Sequence, residues 1–202
     1  MPNWTATTLI LKGKRRDLEA FAKQAKGQDE DGHRDTALTF QNFLPCPKEL
    51  DEWNDGCKVY KSEEEKTEAY KEHELDLIAR FGYTCSYDFH CEVWGTKWDA
   101  CHVEKHDIEK DGKAFSLCYT FDTAWSPCEP VLIEISRQYP GLKITAEFEE
   151  EGGLFETYEA TFFAGEKTGE VLIEREDEDE EDEDEDEEGD SLPAPETDPK
   201  NN

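Results

Sequence analysis

Apolar and polar residues alternate through much of this chain, and the alternation is interrupted by segments of helical period. Residues 4–12 predict a strand, because Thr7-Thr8-Leu9-Ile10-Leu11 is β-branched and aliphatic and stops at Gly13. Over 15–25, Leu18, Phe21, Ala22 and Ala25 recur at helical spacing and predict a short helix. A polar loop covers 27–35. Leu38, Phe40 and Asn42 alternate and predict a second strand over 37–43, stopped by Pro45 and Pro47. Residues 48–61 show no period and read as irregular. A helix follows. Ser62 and Glu65 have capping-box spacing, Ala69, Leu75, Ile78 and Ala79 offer a modest apolar stripe, and Gly82 follows the last turn.

The second half is more regular. Phe115, Leu117, Tyr119 and Phe121 share one face of a strand over 114–122. A helix over 127–139 has Ser126 as its expected N-cap, Pro127 as its first residue, and Val131, Leu132, Ile135 and Tyr139 as its buried stripe. Pro140-Gly141 ends it. Leu142, Ile144, Ala146 and Phe148 then alternate over 142–150, Glu151-Gly152-Gly153 turns, and strands are expected over 154–164 and 170–174. The order is strand-helix-strand, insertion, then strands, helix and strands. It predicts an α+β fold of ferredoxin-like type, with two helices on one face of a mostly antiparallel sheet. Residues 1–175 form this domain, with a helical insertion at about 48–85. From Glu176 the periodicity stops, and 176–202 is expected to be a disordered acidic tail.

Charge sharpens the picture. The net charge is −30. The run from Glu176, Asp177, Glu178, Asp179, Glu180 and Glu181 to Glu188 is thirteen consecutive acids; with Asp190, Glu196 and Asp198 against Lys200 it carries half the total. The other half lies in 1–175. Such a field repels phosphates and anionic membranes, which argues against direct nucleic acid binding and membrane association. It favours a basic protein surface as partner, including the nucleic-acid-binding surface of another protein. Extended, the tail spaces its charges by about 3.3–3.6 Å, close to the roughly 3.4 Å of one nucleic acid strand. The N-terminus shows no signal-peptide pattern and no apolar run reaches membrane-spanning length, so a cytosolic protein is expected. Its seven cysteines then read as reduced thiols.

Two aromatic motifs stand out, Trp94-Gly95-Thr96-Lys97-Trp98-Asp99-Ala100 and Phe121-Asp122-Thr123-Ala124-Trp125-Ser126-Pro127. With Met1-Pro2-Asn3-Trp4, Leu9, Gly13, the stretch Phe40 to Pro47 and Phe148-Glu149-Glu150-Glu151-Gly152, they resemble the phage- and plasmid-borne proteins with a YubB-type ferredoxin-like domain of unknown function. The resemblance runs from residue 1 to about 165, and the Trp94–Ala100 block is its specific part. It implies a ferredoxin-like fold and a mobile-element origin, and carries over no catalytic residue. Thr5 and Thr7 stand where Cys and Asn are usual, and Cys128 where a second Pro is usual.

Two readings of residues 86–94 remain. In the first, preferred for the alternation Tyr87, Phe89, Cys91, Val93, Gly95-Thr96 turns a hairpin over 87–102. Glu92 then faces Asp99, and Trp94 and Lys97 share that outward face. In the second, a short helix ends at Gly95 and the carboxylate pair disappears. Trp94, Lys97, Asp99, Glu92 and Trp125 are the candidate ligand- or partner-binding residues. Trp98 and Trp125 read more readily as core aromatics than as ligand contacts. Cys85, His90, Cys91, Cys101, His102 and His106 crowd one stretch, and His90 and Cys101 are the candidate metal ligands, but no Cys-x-x-Cys spacing occurs. No nucleophile elbow, triad or phosphate loop appears, and no cofactor is implied. The function expected is non-enzymatic: an acidic protein engaging a basic host protein, as a nucleic-acid mimic or defence inhibitor. A small-ligand or metal-binding module, or a single-strand nucleic acid binder, is the alternative.

Overall fold

The Thr/Leu/Ile run at the N-terminus does become a strand, β1 (Trp4–Gly13), and it lies at the centre of the molecule. The computed structural model describes residues 3–29, 32–54 and 68–173. The tail from Glu176 and the Ser62–Glu65 capping box lie outside the described residues. After β1 come α1 (Arg15–Ala25), the two-residue strands β2 (Gly27–Gln28) and β3 (Asp35–Thr36), a 3₁₀ turn (Phe40–Asn42), α2 (Lys48–Asn54), α3 (Glu68–Phe81) and α4 (Ser86–Phe89). Next are β4 (Cys101–Lys105), β5 (Glu109–Asp111), β6 (Ala114–Ala124), α5 (Glu129–Gln138), β7 (Lys143–Glu150), β8 (Tyr158–Phe163) and β9 (Glu166–Leu172).

The large sheet runs β4-β6-β1-β7-β8-β9, with β5 also on β6. Every pair is antiparallel. Both β1-α1-β4 and β6-α5-β7 therefore cross over one intervening antiparallel strand. These two interleaved split βαβ units are the ferredoxin-like sandwich. β8 and β9 extend the sheet beyond β7, and residues 26–100 are inserted between α1 and β4.

Strand alternation determines where the core sits. Leu9 and Leu11, Leu117, Tyr119 and Phe121, Ile144, Ala146 and Phe148, and Ala160 and Phe162 are all buried on one face. Leu18, Phe21 and Ala25 of α1 and Val131, Leu132 and Ile135 of α5 cover it.

Four expectations need correction. Residues 37–43 are not a strand: Thr39 Oγ1 accepts a hydrogen bond from Gln41 N, and the chain closes into the 3₁₀ turn. Residues 48–54 are helical. α3 turns Leu77 inward while Leu75 and Ile78 are exposed, because its few apolar residues mark no single face. Helix α5 begins at Glu129, with Cys128 at the N-cap position and Pro130 in the first turn, since the Ser126 hydroxyl is engaged elsewhere.

Candidate functional site

The Trp94–Ala100 motif begins at the end of a helix. α4 continues into a π-helical turn, His90–Trp94, capped by Gly95 in the left-handed conformation at φ 79°. The capped-helix reading of this segment holds and the hairpin does not form. Gly95 meets two demands: its positive φ, and a space in which a Cβ would lie 2.7 Å from Pro130 Cδ and 3.0 Å from the Pro127 carbonyl oxygen. The two aromatic motifs interlock at this point. Ser126 Oγ donates to Gly95 O (2.6 Å), Thr96 Oγ1 donates to Ala124 O (3.0 Å), and Thr123 Oγ1 donates to Ser126 O (2.8 Å). Trp125 swings out at φ 74° and is exposed.

Trp94 is a core residue with no exposed surface, and its Nε1 donates to Leu44 O at 2.8 Å. The His90 ring stacks on it, 3.9 Å between centroids and 7° from parallel. Asp99 is also buried. It accepts hydrogen bonds from Thr39 Oγ1 (2.5 Å), Phe40 N (2.8 Å) and Ala100 N (2.7 Å). Desolvation outweighs these donors and raises the Asp99 pKa to about 6. A single carboxylate thus ties the 3₁₀ turn to the start of β4. Lys97 lies over the Trp98 ring at 4.8 Å and nearer the edge of reach of Tyr87 at 5.7 Å. Glu92 is exposed on the far side of the π-helical turn and is not opposite Asp99. Trp94, Lys97 and Asp99 therefore do not line a common pocket. The Cys101 thiol donates to Asp99 O at 3.4 Å, and His90 and Cys101 do not converge.

Two clefts flank this corner. Tyr87, Cys91, Lys97, Trp125 and Ser126 line a cleft of about 340 Å³. A larger one, about 860 Å³, is lined by Trp4, Arg34, Asp35, Trp98, Cys101 and His102 among others. There the Trp4 ring lies 5.9 Å from Trp98 and 5.3 Å from His102. His102 has φ 51°, and its Nδ1 is 2.8 Å from Asp122 Oδ2. No spacing rule announced this group, since Trp4, Trp98, His102 and Asp122 come from three strands and a loop. Among the described residues, one trio has the donor chemistry for a metal: Cys46, Asp51 and His90.

The second surface of interest is the sheet face opposite α1 and α5. Register places Glu104, Thr120, Thr8, Glu147 and Glu159 in one row across five strands, and Asp122, Ala6 and Glu149 in the next. A third row is Cys118, Ile10, Thr145 and Thr161. None of these residues is buried. Glu147 stands directly opposite Glu159. Lys12 and Lys143 pair at one end, where Lys12 bridges to Asp111 at 2.9 Å. The face is thus a plate of small side chains studded with carboxylates.

No helix among the described residues is long and apolar enough to cross a membrane. Residues 94–190 match the model of a family described as the ferredoxin-like domain in Api92-like protein. The chain is also similar in fold to the crystal structure of protein api92 from Yersinia pseudotuberculosis, with a TM-score of 0.51 at 8% identity, over 87% of this chain and 99% of that one. No curated protein matches it.

Proposed function

We propose that this is a non-enzymatic acidic interaction protein of a phage or plasmid, which engages a basic protein surface in the host cytosol through the open face of its sheet. One observation carries the reading. Glu104, Asp122, Glu147, Glu149 and Glu159 project from neighbouring strands about 4.8 Å apart, with Ala6, Thr8 and Thr120 leaving the backbone close to the surface. A partner's Lys and Arg side chains would pair with carboxylates spaced in this way. The face is as hostile to a nucleic acid strand as it is inviting to the groove that would hold one. The thirteen-acid run adds a second, sequence-borne arm of the same sign.

The test is capture from host lysate at low and high salt, comparing the full chain, a 1–175 truncation, and the fourfold variant Glu104→Gln, Glu147→Gln, Glu149→Gln, Glu159→Gln. The expected result is salt-sensitive recovery of a basic nucleic-acid-binding protein, reduced at least tenfold by the fourfold variant. Equal recovery with that variant removes the sheet face from the mechanism. Tight binding of an oligonucleotide at low salt overturns the reading altogether.

Small-ligand binding is a second reading, favoured by the Trp4–Trp98 cleft. Cations suit its tilted indole rings, and a ligand-induced rise in Tm that disappears in Trp98→Ala would support it.

A further inference from the structure

The geometry points to a transition-metal site, of zinc type, formed by Cys46 Sγ, Asp51 and His90 Nε2. One donor atom from each residue, a ring nitrogen in the case of His90, lies within 4.8 Å of the other two. His90 is 3% exposed, and its Nε2 has no hydrogen-bond partner among the described residues. A buried imidazole nitrogen left without a partner destabilises the fold. A metal at this position would satisfy it. The other ring nitrogen is already committed, since Nδ1 lies 3.1 Å from Lys97 O. A carbonyl there fixes Nδ1 as the protonated atom and presents Nε2 as a lone pair. Histidine ligands of metals are oriented by such a second contact. Stacking on Trp94 then fixes the ring plane.

The other two donors are held on the opposite wall. Cys46 N donates to Gln41 Oε1 at 2.8 Å, and Leu50 N donates to Pro47 O at 3.0 Å as α2 begins. Asp51 lies on the exposed side of α2, so its carboxylate can turn toward the centre. Zinc bonds of about 2.0–2.3 Å put tetrahedral donor atoms about 3.3–3.6 Å apart. The observed separation calls for closure by about 1 Å, within the reach of the Asp51 rotamer. Thiolate, imidazole and carboxylate together select zinc or cobalt over magnesium or calcium. Three protein ligands leave the fourth position, toward solvent, for water or a partner's side chain. Bound metal would clamp α2 to the π-helical turn. The site stands independently of the acidic sheet face.

The acidic run will bind cations without building a site, so the assay must report the thiolate. Chelator-treated, reduced full-length protein is titrated with Co(II) and then displaced with Zn(II). One Co(II) per chain with near-ultraviolet sulfur-to-cobalt charge transfer is expected, together with a rise in Tm. Cys46→Ser should abolish the charge-transfer band. Asp51→Ala, on the surface and compatible with folding, should weaken affinity at least tenfold. Cys91→Ser, an exposed cysteine outside the trio, should change neither. Cobalt uptake without the thiolate band, or a band that survives Cys46→Ser, would overturn the assignment.

Discussion

The covered and open faces of the sheet are made by alternate residues of the same strands, and they follow opposite rules. On the covered face Leu9, Leu117, Ile144 and Phe148 pack to zero exposure beneath α1 and α5. On the open face the intervening positions of the same strands are mostly small or polar, among them Ala6, Thr8, Cys118, Thr120, Thr145 and Glu147, with Trp4 at one end, Lys12 and Lys143 at the other, and Ile10 the large aliphatic between them. One face accounts for the fold's stability. The other carries carboxylates on neighbouring strands and buries little apolar surface. Selection for a surface, rather than for a core, is the simplest physical account of such a face.

The largest effect should come from breaking the covered face. Phe148→Ala should cost about 3–5 kcal/mol in urea unfolding. Any loss of partner capture should then follow the loss of folded protein. Asp99→Ala should cost about 3 kcal/mol or more, because it strands the donors Thr39, Phe40 N and Ala100 N in the interior. Asp99 also makes a signed pH prediction. Its folded pKa, about 6, lies above its unfolded value near 4. Between those values the folded state retains a proton that the unfolded state releases. The Asp99 contribution is therefore complete below about pH 4 and is lost as pH rises through about 6. The midpoint in urea should fall across that window, and Asp99→Asn should flatten the slope.

Smaller effects separate the two faces further. Thr7 buries a hydroxyl with no partner among the described residues, at a position where valine fits the same space. Thr7→Val should raise stability by about 1 kcal/mol. Glu147→Gln, on the open face, should leave stability within about 0.5 kcal/mol while weakening partner capture. A fall in stability with Glu147→Gln would mean that the open face is structural, and the contrast between the faces would fail.

The covered face was legible because burial writes a period of two or 3.6 into the residues. β1, α1, β6 and β7 follow their predicted runs for that reason. The open face was invisible as a surface, since Glu104, Thr8, Glu147 and Glu159 become neighbours only through register. The 37–43 segment alternates like a strand, yet Thr39 and Asp99, sixty residues apart, hold it as a turn. In 86–94 the alternation competed with a helix-ending glycine, and close packing of Gly95 against Pro130 decided for the glycine. The trio Cys46, Asp51 and His90 has no local spacing to betray it. The tail's thirteen acids were plain from composition alone.

Among the described residues, strand β9 is the outer strand on its side of the sheet, and its Val171 and Leu172 are 65% and 57% exposed. An outer strand with an apolar end is a template for edge-to-edge pairing of identical molecules. The acidic run starts four residues after Leu172. Two molecules meeting along β9 would bring two such runs together, and their repulsion works as a gatekeeper against fibre growth. High salt, which screens that repulsion, should then favour self-association, and the same charges that recruit a basic partner would keep the protein apart from its own copies.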